Sequence, residues 1–110
     1  MNEIKLPKVG KLKLERPKMS IVYDIMSIWS ANPSQAHIGR LAACAIGVCA
    51  VNAGLPVYDS DQARPIAFGG LIMDELLQRG VPPSDIVEKG VEILTVLAPL
   101  LLGDEEVKKK

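Results

Sequence analysis

The residues able to do chemistry are few, and their spacing suits little of it. Cys44 and Cys49 are the chain's two thiols. Five positions apart on a helix they sit about 140° around the axis from each other, which points the sulfurs to different faces and disfavours a bridge. No CxxC occurs and His37 is the single imidazole, so metal-ligand spacing is absent. The two cysteines read as small buried apolar side chains, which fits a reducing, cytosolic compartment. A lone histidine near a helix start is more often a surface residue than a general acid or base. Asp59 and Asp61 share one loop, with Asp24 elsewhere. Paired acids can bind a cation, but calcium-loop spacing is missing, and they read as solvated loop acids. Phe68-Gly69-Gly70 pairs glycines as phosphate loops do, yet it follows no strand and lies inside a helical pattern. GxSxG, P-loop, GxGxxG and HExxH patterns do not occur. The expectation is therefore no catalytic residue, no metal, no cofactor and no enzyme.

The elements that must position these residues are mostly helical. Residues 18–30 predict a first helix, whose narrow polar stripe is Ser20, Asp24 and Ser27. Ile21, Val22, Tyr23, Ile25, Met26, Ile28 and Trp29 cover the rest, so this helix is either central or keeps a face for a partner. Asn32-Pro33 breaks it, because proline disfavours helical dihedrals in the preceding residue. A second helix is expected over residues 34–53, opened by Pro33 or Ser34 and closed by Gly54 as the C′ residue. From residue 36 to 54, eleven of nineteen residues are Ala, Gly or Cys. Gly39, Ala43 and Gly47 at i, i+4 and i+8 leave one side almost bare, so another helix can approach backbone to backbone. A loop over 55–64 leads to a third helix over 65–79, with Phe68, Ile72 and Leu76 on one row and Arg79-Gly80 as its stop. Ser84 is expected to cap a fourth helix. Its apolar face is Val87, Val91, Leu94, Leu97, Ala98 and Leu101, Gly90 implies close contact, and Pro99 is expected to bend or end it.

Ahead of the helices, Ile4-Lys5-Leu6 and Leu12-Lys13-Leu14 alternate with period two around Pro7 and Gly10. This reads as a β-hairpin or a single extended arm. A lone hairpin is marginal in water, so the segment must lean on the helical body or on a partner. The predicted fold is mainly α: a compact bundle of about four helices with an N-terminal extended arm or β-hairpin. The expected division is 1–17 for the basic arm or hairpin, 18–102 for the helical domain and 103–110 for a flexible charged tail.

Length and composition exclude further classes. The 110 residues suffice for one small core and not for two full domains. An apolar share of 48% with zero net charge excludes a disordered polypeptide. The neutrality is a sum of opposed parts, since residues 1–18 carry +4 and residues 19–110 carry −4. Those opposite charges allow the arm of one copy to dock on the body of another. The turn Gly80-Val81-Pro82-Pro83 invites a helix-turn-helix reading, but the following helix bears Asp85, Glu88 and Glu92 against Lys89, which phosphates would repel. No nucleic acid is expected as a partner. The uncharged stretch 41–57 contains Asn52, Gly54 and Pro56, and residues 91–102 are too short to span, so no membrane partner is expected either. Residues 1–18 hold no apolar h-region, so no signal peptide is expected there.

Part of the chain resembles a known family. Ala67-Phe68-Gly69-Gly70-Leu71-Ile72-Met73-Asp74-Glu75-Leu76-Leu77-Gln78-Arg79-Gly80-Val81, then Ser84-Asp85-Ile86-Val87-Glu88-Lys89-Gly90, is similar to the small tail assembly chaperones of phages and prophages. Upstream, Arg40-Leu41-Ala42-Ala43-Cys44-Ala45-Ile46-Gly47-Val48-Cys49 looks like the alanine-rich helix of the same group. The resemblance covers roughly residues 34–95 and leaves out the N-terminal arm. It implies a non-enzymatic helical protein of the host cell cytoplasm. Such a protein coats the long tape measure protein before the tail tube protein polymerises around it. Binding by helix-in-groove or added-strand logic would place the contact on Ile21, Ile25, Ile28 and Trp29 of the first helix and on Leu12 and Leu14 of the arm. The alternatives are a structural component of the particle, such as a small connector or adaptor, and a basic-armed regulator that binds nucleic acid.

Overall fold

The structure is a computed structural model that describes residues 3–51, 53–59 and 64–109, with side chains described as far as residue 99. Period-two alternation in the first segment forms a true hairpin. Strand β1 (Glu3–Leu6) pairs antiparallel with β2 (Gly10–Leu14), placing Ile4 opposite Leu12 and Lys5 opposite Lys11. Lys8 at φ 70° and Gly10 at φ 94° make the turn, closed by the Val9 amide donating to the Leu6 carbonyl at 3.3 Å. Ile4, Leu6, Leu12 and Leu14 all point inward and are buried in the same core as the helices. The segment thus leans on the body, as its marginal size requires.

Helix α1 (Met19–Trp29) buries Val22, Ile25 and Met26. Helix α2 (Gln35–Cys49) is capped by Ser34, whose Oγ accepts from the His37 amide at 3.3 Å. It ends four residues before the expected position 53, because Ala50–Val51 leaves the helix as a short strand, β3, that pairs with β2. The Glu15 amide donating to the Cys49 carbonyl at 2.8 Å continues that junction. The sheet order is β1-β2-β3, so the hairpin is stitched to the end of the central helix.

Helix α3 (Pro65–Gln78) starts with proline at its first turn, where the missing N–H costs nothing. It stops in a Schellman turn: the Gly80 amide donates to Leu77 at 3.0 Å, the Val81 amide to Leu76 at 3.0 Å, and Gly80 takes φ 94°. Helix α4 (Pro83–Lys109) begins one residue earlier than the expected cap. The Pro82 carbonyl accepts from Asp85 and Ile86 at 3.0 and 3.2 Å, so Ser84 lies inside the first turn. Pro99 does not end this helix, which continues to Lys109. Thr95, whose carbonyl loses its partner amide to the proline, is exposed like Pro99 itself, so water can satisfy it.

Helix α2 lies at the centre, packed mainly on α3 and α4. Its run from Leu41 to Ile46 is buried without a break. Small residues permit this from both sides. A Cβ on Gly69 would overlap the Arg40 carbonyl, and one on Gly90 would overlap the Ala42 carbonyl. On α2 itself, a Cβ on Gly47 would stand 2.5 Å from Ile72 Cγ1 and 2.9 Å from Phe68 Cε2. Ala43 is fully buried. Gly39 differs from the expected close approach: its nearest neighbours would be at ordinary distances, Met73 Cε at 3.6 Å and Val87 Cγ2 at 3.8 Å.

Candidate functional site

An open groove runs beside the start of α1, the end of α2 and the 53–59 loop. Its inner part, about 260 Å³, has a floor of Ile21, Val48, Leu55 and Tyr58. Its outer part, about 810 Å³, shares Ile21, Val48, Val57 and Tyr58 and brings Arg16, Lys18 and Asp59 to the rim. Val57 is 88% exposed and stands at the rim as an apolar side chain open to solvent, while the groove lining as a whole is as polar as it is apolar.

Specific polar contacts hold the loop that forms one wall. Arg79, just past α3, donates from Nη1 to the Ala53 carbonyl at 2.9 Å and from Nη2 to the Gly54 carbonyl at 3.1 Å. Its Nε donates to Glu75 Oε2 at 2.9 Å, one turn back, which fixes the guanidinium plane. Farther along, the Tyr58 hydroxyl donates to Asp24 Oδ2 on α1 at 3.2 Å. The Tyr58 ring meets Phe68 edge-on, with centroids 5.2 Å apart and planes at 81°. Burial, then the charge of Asp24 and the hydrogen bond to it, push the Tyr58 phenol up to about 12. Tyr58 therefore remains a neutral donor at physiological pH.

The other residues with chemical capacity are used elsewhere. Cys44 and Cys49 are buried free thiols. Burial pushes both up to about 12; for Cys44 the charges of Cys49 and Asp24 add to that. Both are therefore held in the protonated form at neutral pH. His37 is exposed at the start of α2. Asp24 faces Tyr58 rather than the loop acids, and Asp61 lies outside the described residues. Gly69 of the Phe68-Gly69-Gly70 sequence is spent on packing against Arg40. Among the described residues no group of three His, Cys, Asp or Glu side chains could hold a metal ion. No helix among them is long and apolar enough to cross a membrane.

The structure divides the residues expected to meet a partner. Ile25, Leu12 and Leu14 are 0%, 6% and 5% exposed, so these three belong to the core and are not surface. The physical reason is that β2 and α1 each spend an apolar face on the bundle. Ile28 and Trp29 are half-buried against that core, and Ile21 lines the groove. Sequence reasoning missed Arg79 as a clamp for the loop, seeing in it only a helix stop. It also missed Tyr58, whose signal was the one aromatic in the loop that holds Pro56, Asp59, Ser60 and Asp61. Comparison with protein-family models, with curated proteins and with solved structures finds no match, so the groove is read from its own geometry.

Proposed function

We propose that the chain is a non-enzymatic binding protein of the phage tail assembly chaperone kind. It holds an apolar segment of a long tape measure protein in the host cell cytoplasm before the tail tube forms. One observation carries this reading: the solvent-open groove bordered by the apolar side chains of Ile21, Val48 and Val57 and by Tyr58, with its loop wall tied down by Arg79 and Tyr58. A surface held open by its own hydrogen bonds can accept an apolar segment without first collapsing on itself. Arg16 and Lys18 outnumber Asp59 at the rim, which suits a segment with acidic residues flanking its apolar ones.

The test is co-expression with a phage tape measure protein, followed by pull-down. Ile21→Asp and Val57→Asp should each abolish capture while leaving the thermal melt nearly unchanged for Val57→Asp, whose side chain is almost wholly exposed. Capture that survives both substitutions would remove the groove from the mechanism. Ile25→Asp is unsuited to this purpose, because Ile25 is fully buried and its loss reports on the core.

A further inference from the structure

The outward face of the hairpin is a field of lysines. Alternation turns Ile4, Leu6, Leu12 and Leu14 inward, which leaves Lys5, Lys11 and Lys13 exposed on the opposite face. The register sets Lys5 directly across from Lys11, an arrangement in which like charges repel. Glu3, directly across from Lys13 in the register, reaches Lys11 Nζ at 3.7 Å, so the repulsion between Lys5 and Lys11 is only partly answered. Helix α4 carries the opposite pattern. Glu88 and Glu92 are both exposed and four residues apart, a like-charge spacing that weakens a helix. Lys89 answers Glu92 at 3.7 Å. Among the described residues no ion pair joins the hairpin to α4.

Two like-charge pairs of opposite sign, each partly neutralised by Glu3 or Lys89, thus stand on one molecule with no ion pair between them among the described residues, although β1 packs against α4. Their spacings match: directly opposed strand residues have β-carbons about 5 Å apart, and i, i+4 helix residues about 5–6 Å. Val96, one turn beyond Glu92 and 49% exposed, extends the α4 row with an apolar contact. We propose that the lysine face of the hairpin docks on the Glu88, Glu92 and Val96 row of α4 in a second copy of this chain. Lys5 and Lys11 take one carboxylate each, and both repulsions are relieved together. The opposed charges of residues 1–18 and 19–110, +4 and −4, favour a second copy over nucleic acid, which the acidic row would repel. Every copy offers both surfaces, so the contact either closes reciprocally about a two-fold axis into a dimer or repeats head-to-tail into a larger assembly. The inference stands without the chaperone reading.

Sedimentation velocity over a range of protein concentrations tests it. At low ionic strength the wild type should form species larger than one copy. It should return to a single copy near about 1 M salt, where screening acts within about 3 Å. Lys5→Glu/Lys11→Glu/Lys13→Glu and Glu88→Lys/Glu92→Lys should each remain single copies at low salt, with circular dichroism confirming the fold. Their equimolar mixture should re-form the larger species, because the reversed charges again complement each other. A wild type that stays a single copy at every concentration overturns the proposal. Assemblies that survive both reversals and high salt overturn it too, since another surface then makes the contact. So does a single-copy wild type that retards duplex DNA and loses this with the lysine reversals.

Discussion

A methyl group added at Gly69 and one added at Gly70 should act in opposite directions. At Gly69 it would overlap the Arg40 carbonyl, so Gly69→Ala must push α3 away from α2. Overpacking of this kind costs about 1–3 kcal/mol. At Gly70 nothing lies within 4 Å, and Gly70→Ala should stabilise the helix by about 0.5–1 kcal/mol. Urea unfolding of both variants checks this, and effects of the same sign would refute the α2–α3 contact described above. The glycine pair was visible in the sequence, but which member packs was not, since that depends on the side α3 turns to α2. The same limit explains Gly39 and Gly47, which share one stripe on α2 although only Gly47 is pressed closely. Close contact at Gly90 was readable, because a glycine inside a long helix needs a steric reason to be there.

Helix punctuation carried most of what was legible at the level of elements. Ser34, Pro65 and the Arg79-Gly80 stop each act locally, through bonds to residues within one turn or so, and local signals survive without knowledge of the fold. Strand β3 does not. Ala50–Val51 belongs to an alanine-rich run with helical composition, and only its pairing with β2, more than thirty residues earlier in the chain, turns it into strand. The choice between a hairpin and an extended arm was open for a similar reason, because alternation defines a strand and not its neighbour. If the hairpin is part of the core, Leu6→Ala should cost about 2–5 kcal/mol in denaturant unfolding, since Leu6 is only 1% exposed. A loss below about 0.5 kcal/mol, typical of surface substitutions, would show that the hairpin is not docked.

For the whole molecule, the two buried thiols make stability depend on alkaline pH. Their ordinary value of 9.0 applies to the unfolded chain, while burial raises both to about 12 in the fold. Between those values the unfolded state releases protons that the native state keeps, so stability falls as pH rises. The contribution is fully present below pH 9 and is lost progressively on the way to about 12. Thermal melts above pH 9 should therefore drop more steeply for the wild type than for Cys44→Ala/Cys49→Ala. The two proteins share every other residue, so equal slopes would show that the thiols are not held in the apolar interior.

The sequence by itself determined the helical class, most helix starts and stops, the strand character of the first segment and the opposed charges of its two parts. These follow from periodicity, capping and composition, which act over a few neighbouring residues or on the chain's totals. Tertiary structure alone decided that Ile25, Leu12 and Leu14 are core, that β3 ties the hairpin to α2, and that Arg79 and Tyr58 hold the groove open. Those outcomes rest on contacts between residues distant in the chain. Burial, unlike helix formation, depends on what the rest of the molecule places alongside.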